Sequence, residues 1–153
     1  MGFFFTKEGL LSKINEDKKN LLKIVFTNGC FDLIHAGHIR YLRQAKGLGD
    51  RLIVAINSDN SVRRLKKNRP IINEDQRVEV LEAFWFVDYV TLFDEDTPYE
   101  LIKYLRPHIL VKGGDWKIEE IIGSDLVDET YSIKYHDGLS TSAIIDKIKK
   151  IFC

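Results

Sequence analysis

The stretch that decides the fold is Ile24-Val25-Phe26-Thr27-Asn28-Gly29-Cys30-Phe31-Asp32-Leu33-Ile34-His35-Ala36-Gly37-His38. Its first residues are apolar and rich in β-branched and aromatic types, as in a buried strand. Its last residues run into an amphipathic helix, so both histidines fall where strand gives way to helix. Such a junction exposes backbone N–H groups and the positive end of a helix dipole, which is where anions bind. Two imidazoles there, with Gly37 between them to admit a close backbone approach, describe a site for the phosphates of a nucleotide. Two other readings stand beside it: plain surface histidines at a helix start, or a metal site built from Cys30, His35 and His38, for which the chain lacks a Cys-x-x-Cys pair.

Outward from this junction the chain alternates. Strands are expected at 23–27, 51–56, 86–92, 108–112 and 131–135, with helices at 37–48, 73–85, 97–105, 120–129 and 141–152 and a leading helix over 7–19. Local caps support the helices: Asn73 precedes Glu74, Asp75 and Gln76, Thr97 precedes Pro98, and Ser140 opens the last one. Short apolar strands alternating with helices imply an α/β fold, a Rossmann-like doubly wound five-stranded parallel sheet with helices on both faces. The 153 residues read as a single domain, with 1–22 a helical lead-in and 23–153 the core. Ligands of such sheets bind at the carboxyl ends of the strands, near the point where strand order reverses.

Acidic and basic residues balance at 23 each, so no net field points to nucleic acid or a membrane surface as partner. The two cysteines suggest no disulfide framework and fit a reducing, cytoplasmic setting. No apolar stretch approaches the roughly 20 residues that span a bilayer. Met1-Gly2-Phe3-Phe4-Phe5-Thr6 matches a myristoylation pattern, read here as coincidence, and its aromatic trio is too short for a signal peptide. No GxGxxG follows the first strand, which excludes a dinucleotide-dependent oxidoreductase.

Other candidates cluster at the same sheet edge. Asn57-Ser58-Asp59 follows the second strand, where Asp59 either caps the next turn or meets a ligand. The basic segment Arg63, Arg64, Lys66, Lys67, Arg69 is either solvated surface or phosphate-binding, and Arg77 either holds phosphate or makes a helix-face ion pair. Gly113-Gly114-Asp115-Trp116 follows the fourth strand; its glycines admit a ligand, Asp115 suits a ribose hydroxyl and Trp116 a base or sugar, against a plain turn with a buried Trp. Asp137-Gly138-Leu139-Ser140-Thr141-Ser142 opens the last helix, as a simple N-cap or, with three hydroxyls, as a β/γ-phosphate site using Ser140 and Thr141.

The histidine junction resembles the HxGH signature of the nucleotidyltransferase superfamily, and the likeness runs further. KIVFTNGCFDLIHAGHIRYLRQAKGLGDRLIVAINSD, LVKGGDW with EEIIGSDLV, and DGLSTSAIIDKIK are similar to the heptose-1-phosphate adenylyltransferases of bacterial lipopolysaccharide biosynthesis, from about residue 6 onward. Ser142 departs from the threonine usual there but keeps the hydroxyl. In many bacteria that transferase is fused behind a sugar kinase; 153 residues leave no room for one, so the resemblance implies a stand-alone form with the kinase on another polypeptide.

The resemblance implies attack by the acceptor's anomeric phosphate on the α-phosphorus of ATP, giving ADP-heptose and pyrophosphate. A phosphate nucleophile is already largely ionised near neutral pH, so positioning and electrostatics carry the chemistry. On this basis His35, His38 and Lys66 are the catalytic candidates, with Lys67 an alternative register for the lysine. Asn28, Gly29, Cys30, Phe31, Gly37, Gly113, Asp115, Ser140 and Thr141 bind the nucleotide, and Cys30 serves packing rather than nucleophilic attack. Asp32, Asn57, Asp59, Arg64 and Arg77 face the acceptor and its phosphate. Mg²⁺ accompanies ATP as counter-ion, held by phosphate oxygens and water, with no protein metal ligand. Homodimers are common among relatives, and Phe84, Trp85 and Phe86 serve either such an interface or the core. The rival enzymes are glycerol-3-phosphate cytidylyltransferases, which share HxGH but carry an RTxGIST pattern absent here, and archaeal-type FAD synthetases; a catalytically dead nucleotide-binding module is the non-enzyme alternative.

Overall fold

Contiguous apolar runs form strands here because both faces of the sheet are covered. In the computed structural model, which describes residues 1–134 and 139–153, the strand Arg51–Asn57 shows the pattern most clearly. Its Leu52, Val54 and Ile56 enter one core and its Ile53 and Ala55 the other, as the two-residue period of a strand requires. The elements in order are β1 (Phe3–Phe4), α1 (Lys7–Lys19), β2 (Ile24–Gly29), α2 (Ala36–Lys46), β3 (Arg51–Asn57), α3 (Asp59–Leu65), α4 (Glu74–Glu82), β4 (Tyr89–Phe93), α5 (Tyr99–Leu105), β5 (Ile109–Gly113), β6 (Glu129–Ile133) and α6 (Thr141–Phe152). Helices α2 and α4 cover the first core through Tyr41, Leu42, Ala45, Val78 and Leu81; α1 and α5 cover the second through Leu10, Ile14, Leu101, Ile102 and Leu105.

The sheet is six-stranded in the order β1-β4-β3-β2-β5-β6, with every pairing parallel. From β2 the chain winds outward through β3 and β4, then returns to place β5 on the other side of β2, with Phe26 opposite both Ile53 and Leu110. Strand order therefore reverses between β2 and β5, and the crevice above their carboxyl ends is where an open α/β sheet receives its ligand.

The Rossmann-like expectation holds, with four local differences. A sixth strand is added at the edge: Phe3 and Phe4 pair with Tyr89 and Val90, fixed further by the Gly2 N–H on the Glu82 carbonyl and the Phe4 N–H on the Glu82 carboxylate. The strand expected at 86–92, β4, starts at Tyr89, three residues later, because Asp88 uses its carboxylate to accept from the Leu52 N–H and the Lys46 ammonium. Residues 120–129 do not form one helix; two 3₁₀ turns, Ile118–Glu120 and Ser124–Leu126, are separated by Gly123 at φ 95, a left-handed conformation that ends a helix. Residues 59–65, for which no helix is expected, form α3, capped by the Ser58 hydroxyl accepting from the Ser61 N–H. The caps at Asn73 and Ser140 are as expected, whereas α5 starts after Pro98 without a side-chain cap. Of the aromatic trio, Phe86 is in the core and Trp85 is exposed. No helix is long and apolar enough to cross a membrane among the described residues.

Phe26 is fully buried in β2 beneath the crevice. Phe26→Ala is expected to lower stability by about 3–5 kcal/mol, read as a fall in the urea midpoint with little change in slope.

Candidate functional site

At the end of β2 the chain turns sharply through Phe31, whose φ of 49 is left-handed, and reaches α2 with His35 as N-cap. The two histidines cap the helix reciprocally. The Gly37 N–H donates to His35 Nδ1 at 3.1 Å, and the His35 N–H donates to His38 Nδ1 at 3.3 Å. An Nδ1 that accepts carries no proton, so each neutral ring has its proton on Nε2 and presents an N–H donor there. The ring centroids lie 4.0 Å apart. A Cβ on Gly37 would come within 2.9 Å of the His35 ring and 3.2 Å of Leu139 Cβ, so only glycine lets the ring fold back and the α6 segment approach.

Charge is arranged to keep these rings neutral. Burial, then His35 and Lys66, push the His38 pKa down to about 4, and burial lowers that of His35. Both are therefore neutral hydrogen-bond donors near pH 7. Burial penalises charge of either sign, whereas the Lys66 charge that also lowers the His38 pKa favours an anion nearby.

In front of His38 lies a cavity of about 390 Å³ at the strand reversal. Of the sequence-predicted residues, the structure gathers Asn28, Gly29, Cys30, Phe31, Asp32, His38, Asn57, Lys66, Gly113 and Thr141 around it. The Asn57 amide is held by donating to the Ser61 hydroxyl at 3.0 Å. The Thr141 hydroxyl donates to the Leu33 carbonyl at 3.2 Å, which brings the head of α6 against the histidine loop.

Other predicted residues lie elsewhere or have partners already. Arg77 is 1% exposed and sits beneath the cavity floor, where it donates to the carbonyls of Ile72, Cys30 and Asn57 and to the Asp59 carboxylate at 2.6–3.0 Å. It is neither a helix-face pair nor turned to a ligand, and Asp59 is its partner. Arg64 is already engaged by Asp96, a cavity-lining carboxylate 2.9 Å off. Asp115 projects toward solvent, 3.3 Å from the Lys134 ammonium. Ser140 serves as N-cap, its hydroxyl accepting from the Ala143 N–H at 3.0 Å, and Gly37 spends its N–H on His35. Asp137 and Gly138 lie outside the described residues.

Asp32 lines the cavity but its carboxylate is engaged. It accepts from Arg69 at 2.8 Å and from the N–H groups of Ile71 and Ile72 at 2.8–3.0 Å. Burial alone would raise its pKa; the Ile72 N–H, Arg69 and the Ile71 N–H outweigh that and hold it below the ordinary carboxylate range. Among the described residues no three His, Cys, Asp or Glu side chains come together as a metal site, the Cys30, His35, His38 set included.

Of the charged residues that line the cavity, sequence reasoning did not assign Arg69, Asp96 or Lys112 to the site. Lys112 had one legible signal, a lone charge inside an otherwise apolar strand just before Gly113-Gly114. Its ammonium lies 5.9 Å from the Trp116 ring centroid. Trp116 in turn packs over Gly114, whose φ of 125 and lack of Cβ admit the indole: a Cβ would meet Nε1 at 2.5 Å.

Helix-head imidazoles, a cationic crevice and a doubly wound sheet define a nucleotide-handling α/β protein of the HxGH type. Residues 26–147 match the cytidylyltransferase-like family model, and the chain belongs to that family of nucleotidyltransferases. It is 54% identical over 145 residues to the bifunctional protein HldE of a Campylobacter jejuni strain, covering 94% of this chain and 31% of that protein. A Helicobacter pylori HldE is 55% identical over 134 residues, 87% of this chain and 29% of the relative. The chain thus spans about a third of the length of these relatives. Among solved structures, a lipopolysaccharide core biosynthesis protein from Thermoplasma volcanium superposes with a TM-score of 0.65 at 29% identity, over 76% of this chain and 99% of that one. A pantoate-beta-alanine ligase from Francisella tularensis shares the fold, with a TM-score of 0.66 at 15% identity over 96% of this chain and 73% of that one.

Two outcomes test this geometry. Arg77→Met leaves three carbonyls and the Asp59 carboxylate without their donor and is expected to destabilise the protein by about 3–5 kcal/mol, measured by urea denaturation. The depressed His38 pKa also has a sign. Between its ordinary 6.5 and about 4 the unfolded chain binds a proton that the native ring does not. The stabilisation is present above 6.5 and is lost as pH falls toward 4, so His38→Gln is expected to lose less stability than the parent on acidification across that window.

Proposed function

We propose that this chain joins the AMP moiety of ATP to D-glycero-D-manno-heptose 1-phosphate, releasing pyrophosphate and forming ADP-heptose. The observation that carries the reading is the reciprocal histidine cap, which sets two Nε2–H donors at the head of α2, with His38 lining a cavity that also holds Lys66. Membership of the cytidylyltransferase-like family and identity above 50% to bifunctional HldE proteins support it.

In this mechanism the triphosphate lies across the heads of α2 and α6, where helix dipoles favour anions. His35 and His38 donate to its oxygens, and Thr141 and Ser140 flank the β- and γ-phosphates. The acceptor's phosphate oxygen, already ionised, attacks the α-phosphorus in line, and the bond to the β-phosphate oxygen breaks with its electron pair. No general base is required. Lys66, from the loop after α3, balances the charge that accumulates on the α-phosphate. Backbone at Asn28 to Phe31 and at Gly113 shapes the walls, with Asn57 facing the acceptor side. Mg²⁺ enters with the nucleotide, held by phosphate oxygens and water. The setting is cytoplasmic, a sugar kinase supplies the acceptor, and a homodimer is the expected assembly.

The test is pyrophosphate release with ATP, CTP or GTP, each offered with heptose 1-phosphate or glycerol 3-phosphate. Turnover is expected only with ATP and the heptose, and His38→Ala should lower kcat by roughly 10²–10³-fold with an unchanged circular dichroism spectrum. Turnover with CTP and glycerol 3-phosphate instead would make this a glycerol-3-phosphate cytidylyltransferase. ATP binding without turnover in any pairing would sink the heptose reading and leave another transferase, such as an FAD synthetase, or a binding module.

A further inference from the structure

Lys112 occupies the residue after Val111, which pairs with Thr27 across the strand reversal, so it sits on the floor of the crevice. It is partly buried, and among the described residues its ammonium has no hydrogen-bond or ion-pair partner. Other lysines at the base of the sheet are partnered: Lys18 by the Leu105 and Arg106 carbonyls, Lys23 by Glu129, Lys46 by Asp88. Holding a desolvated ammonium without a counter-charge is unfavourable, and a protein that keeps one in a cavity keeps it for an anion. Burial, and Lys66 nearby, lower the Lys112 pKa, while Cys30 opposes them. Lys66 also acts on His38, so Lys66, Lys112 and His38 bear on one space. The Trp116 face steadies the ammonium while leaving its N–H donors to point elsewhere.

The cavities say which anion. Beside the main cavity is a recess of about 110 Å³ lined by Pro98, Trp116, Glu120, Ile121 and Ile122 with Asn28 and Lys112, and all of these but Glu120 and Ile121 line the main cavity too. A nucleotide with its base in this recess and its ribose and phosphates in the main cavity brings the phosphate nearest the ribose closest to Lys112.

We propose that Lys112 contacts the reacting α-phosphate of the nucleotide, sharing with Lys66 and His38 the charge that develops there. This rests on the nucleotidyl-transfer reading above. Lys112 exchanges no proton: the new bond joins the acceptor oxygen to the α-phosphorus, the bond to the β-phosphate oxygen breaks, and its electrons leave with pyrophosphate.

The experiment compares AMP and adenosine binding by calorimetry in the parent, Lys112→Gln and Lys112→Arg, alongside kcat and KM for ATP. AMP affinity is expected to fall about tenfold to a hundredfold in Lys112→Gln, with adenosine unchanged within twofold. The Arg variant should recover most of the loss. The kcat of Lys112→Gln should fall at least as far, with a smaller change in KM. Unchanged AMP binding, or equal losses for AMP and adenosine, would overturn the inference and leave transfer intact. A parent that binds AMP but never turns over would overturn the transfer reading alone, with the AMP–adenosine difference still deciding Lys112. A parent binding neither ligand would overturn both.

Discussion

The crevice depends on one buried guanidinium. Arg77 reaches from α4 beneath the carboxyl ends of β2 and β3 and donates to the carbonyls of Cys30 and Asn57, to Ile72, and to the Asp59 carboxylate at the head of α3. The Cys30 carbonyl belongs to the turn where the chain leaves β2 for the histidines, and the Asn57 carbonyl to the last residue of β3. Backbone acceptors at strand ends have no ladder partner left and must be satisfied if water is excluded. One planar side chain with several fixed donors satisfies two strand ends and orients a helix start together; a lysine cannot present donors in that fork. The rigidity of the site floor follows from this fork, since moving any one of the connected segments breaks a charge-assisted bond.

On that floor, the acid–base behaviour of His38 is set by burial first and by the neighbouring positive charge of Lys66 after it. A proton brought to His38 meets a desolvated site with Lys66 nearby, and the ring stays neutral down to about pH 4. An oxygen bearing negative charge meets the Lys66 field with opposite sign, while the desolvation opposes charge of either sign until hydrogen-bond donors compensate it. The reciprocal cap makes this usable, because it ties each Nδ1 to a backbone N–H and so fixes the remaining proton on Nε2. Neutral imidazoles then act as oriented dipoles, and formal positive charge is left to the lysines.

How much of this was legible in the sequence depends on the distance over which each feature is determined. The doubly wound sheet was legible because contiguous runs such as Leu52–Ile56 have a single explanation, burial on both faces. The histidine junction was legible because its residues are neighbours in the chain. Edge strand β1 was not: Phe3 and Phe4 acquire meaning only from Tyr89 and Val90, more than 80 residues away, and two residues show no period. The roles of Asp32 and Arg77 were hidden for the same reason. A charged residue near a phosphate site reads as a ligand until its partners are known, and those of Asp32 are Arg69, Ile71 and Ile72. The helix expected over 120–129 failed at Gly123, where a left-handed backbone separates two short turns.

Those pairings also settle which charges the crevice presents. Of the charged residues around the cavity, Asp32 is neutralised by Arg69 and Asp96 is 2.9 Å from Arg64. Each carboxylate that would repel a phosphate is thus matched with a guanidinium, and the two lysines, Lys66 and Lys112, are left as the formal charges without an ion-pair partner among the described residues. The Asp32 cluster does more than cancel charge. It pins Arg69, Ile71 and Ile72, while the Lys66 N–H is tied to the Val62 carbonyl at the end of α3. The exposed turn carrying Lys66 is therefore anchored on both sides, which fixes where its lysine meets the cavity. One cation comes from that turn and the other from the end of β5, an arrangement that suits a nucleotidyltransferase, whose chemistry gathers negative charge on phosphate.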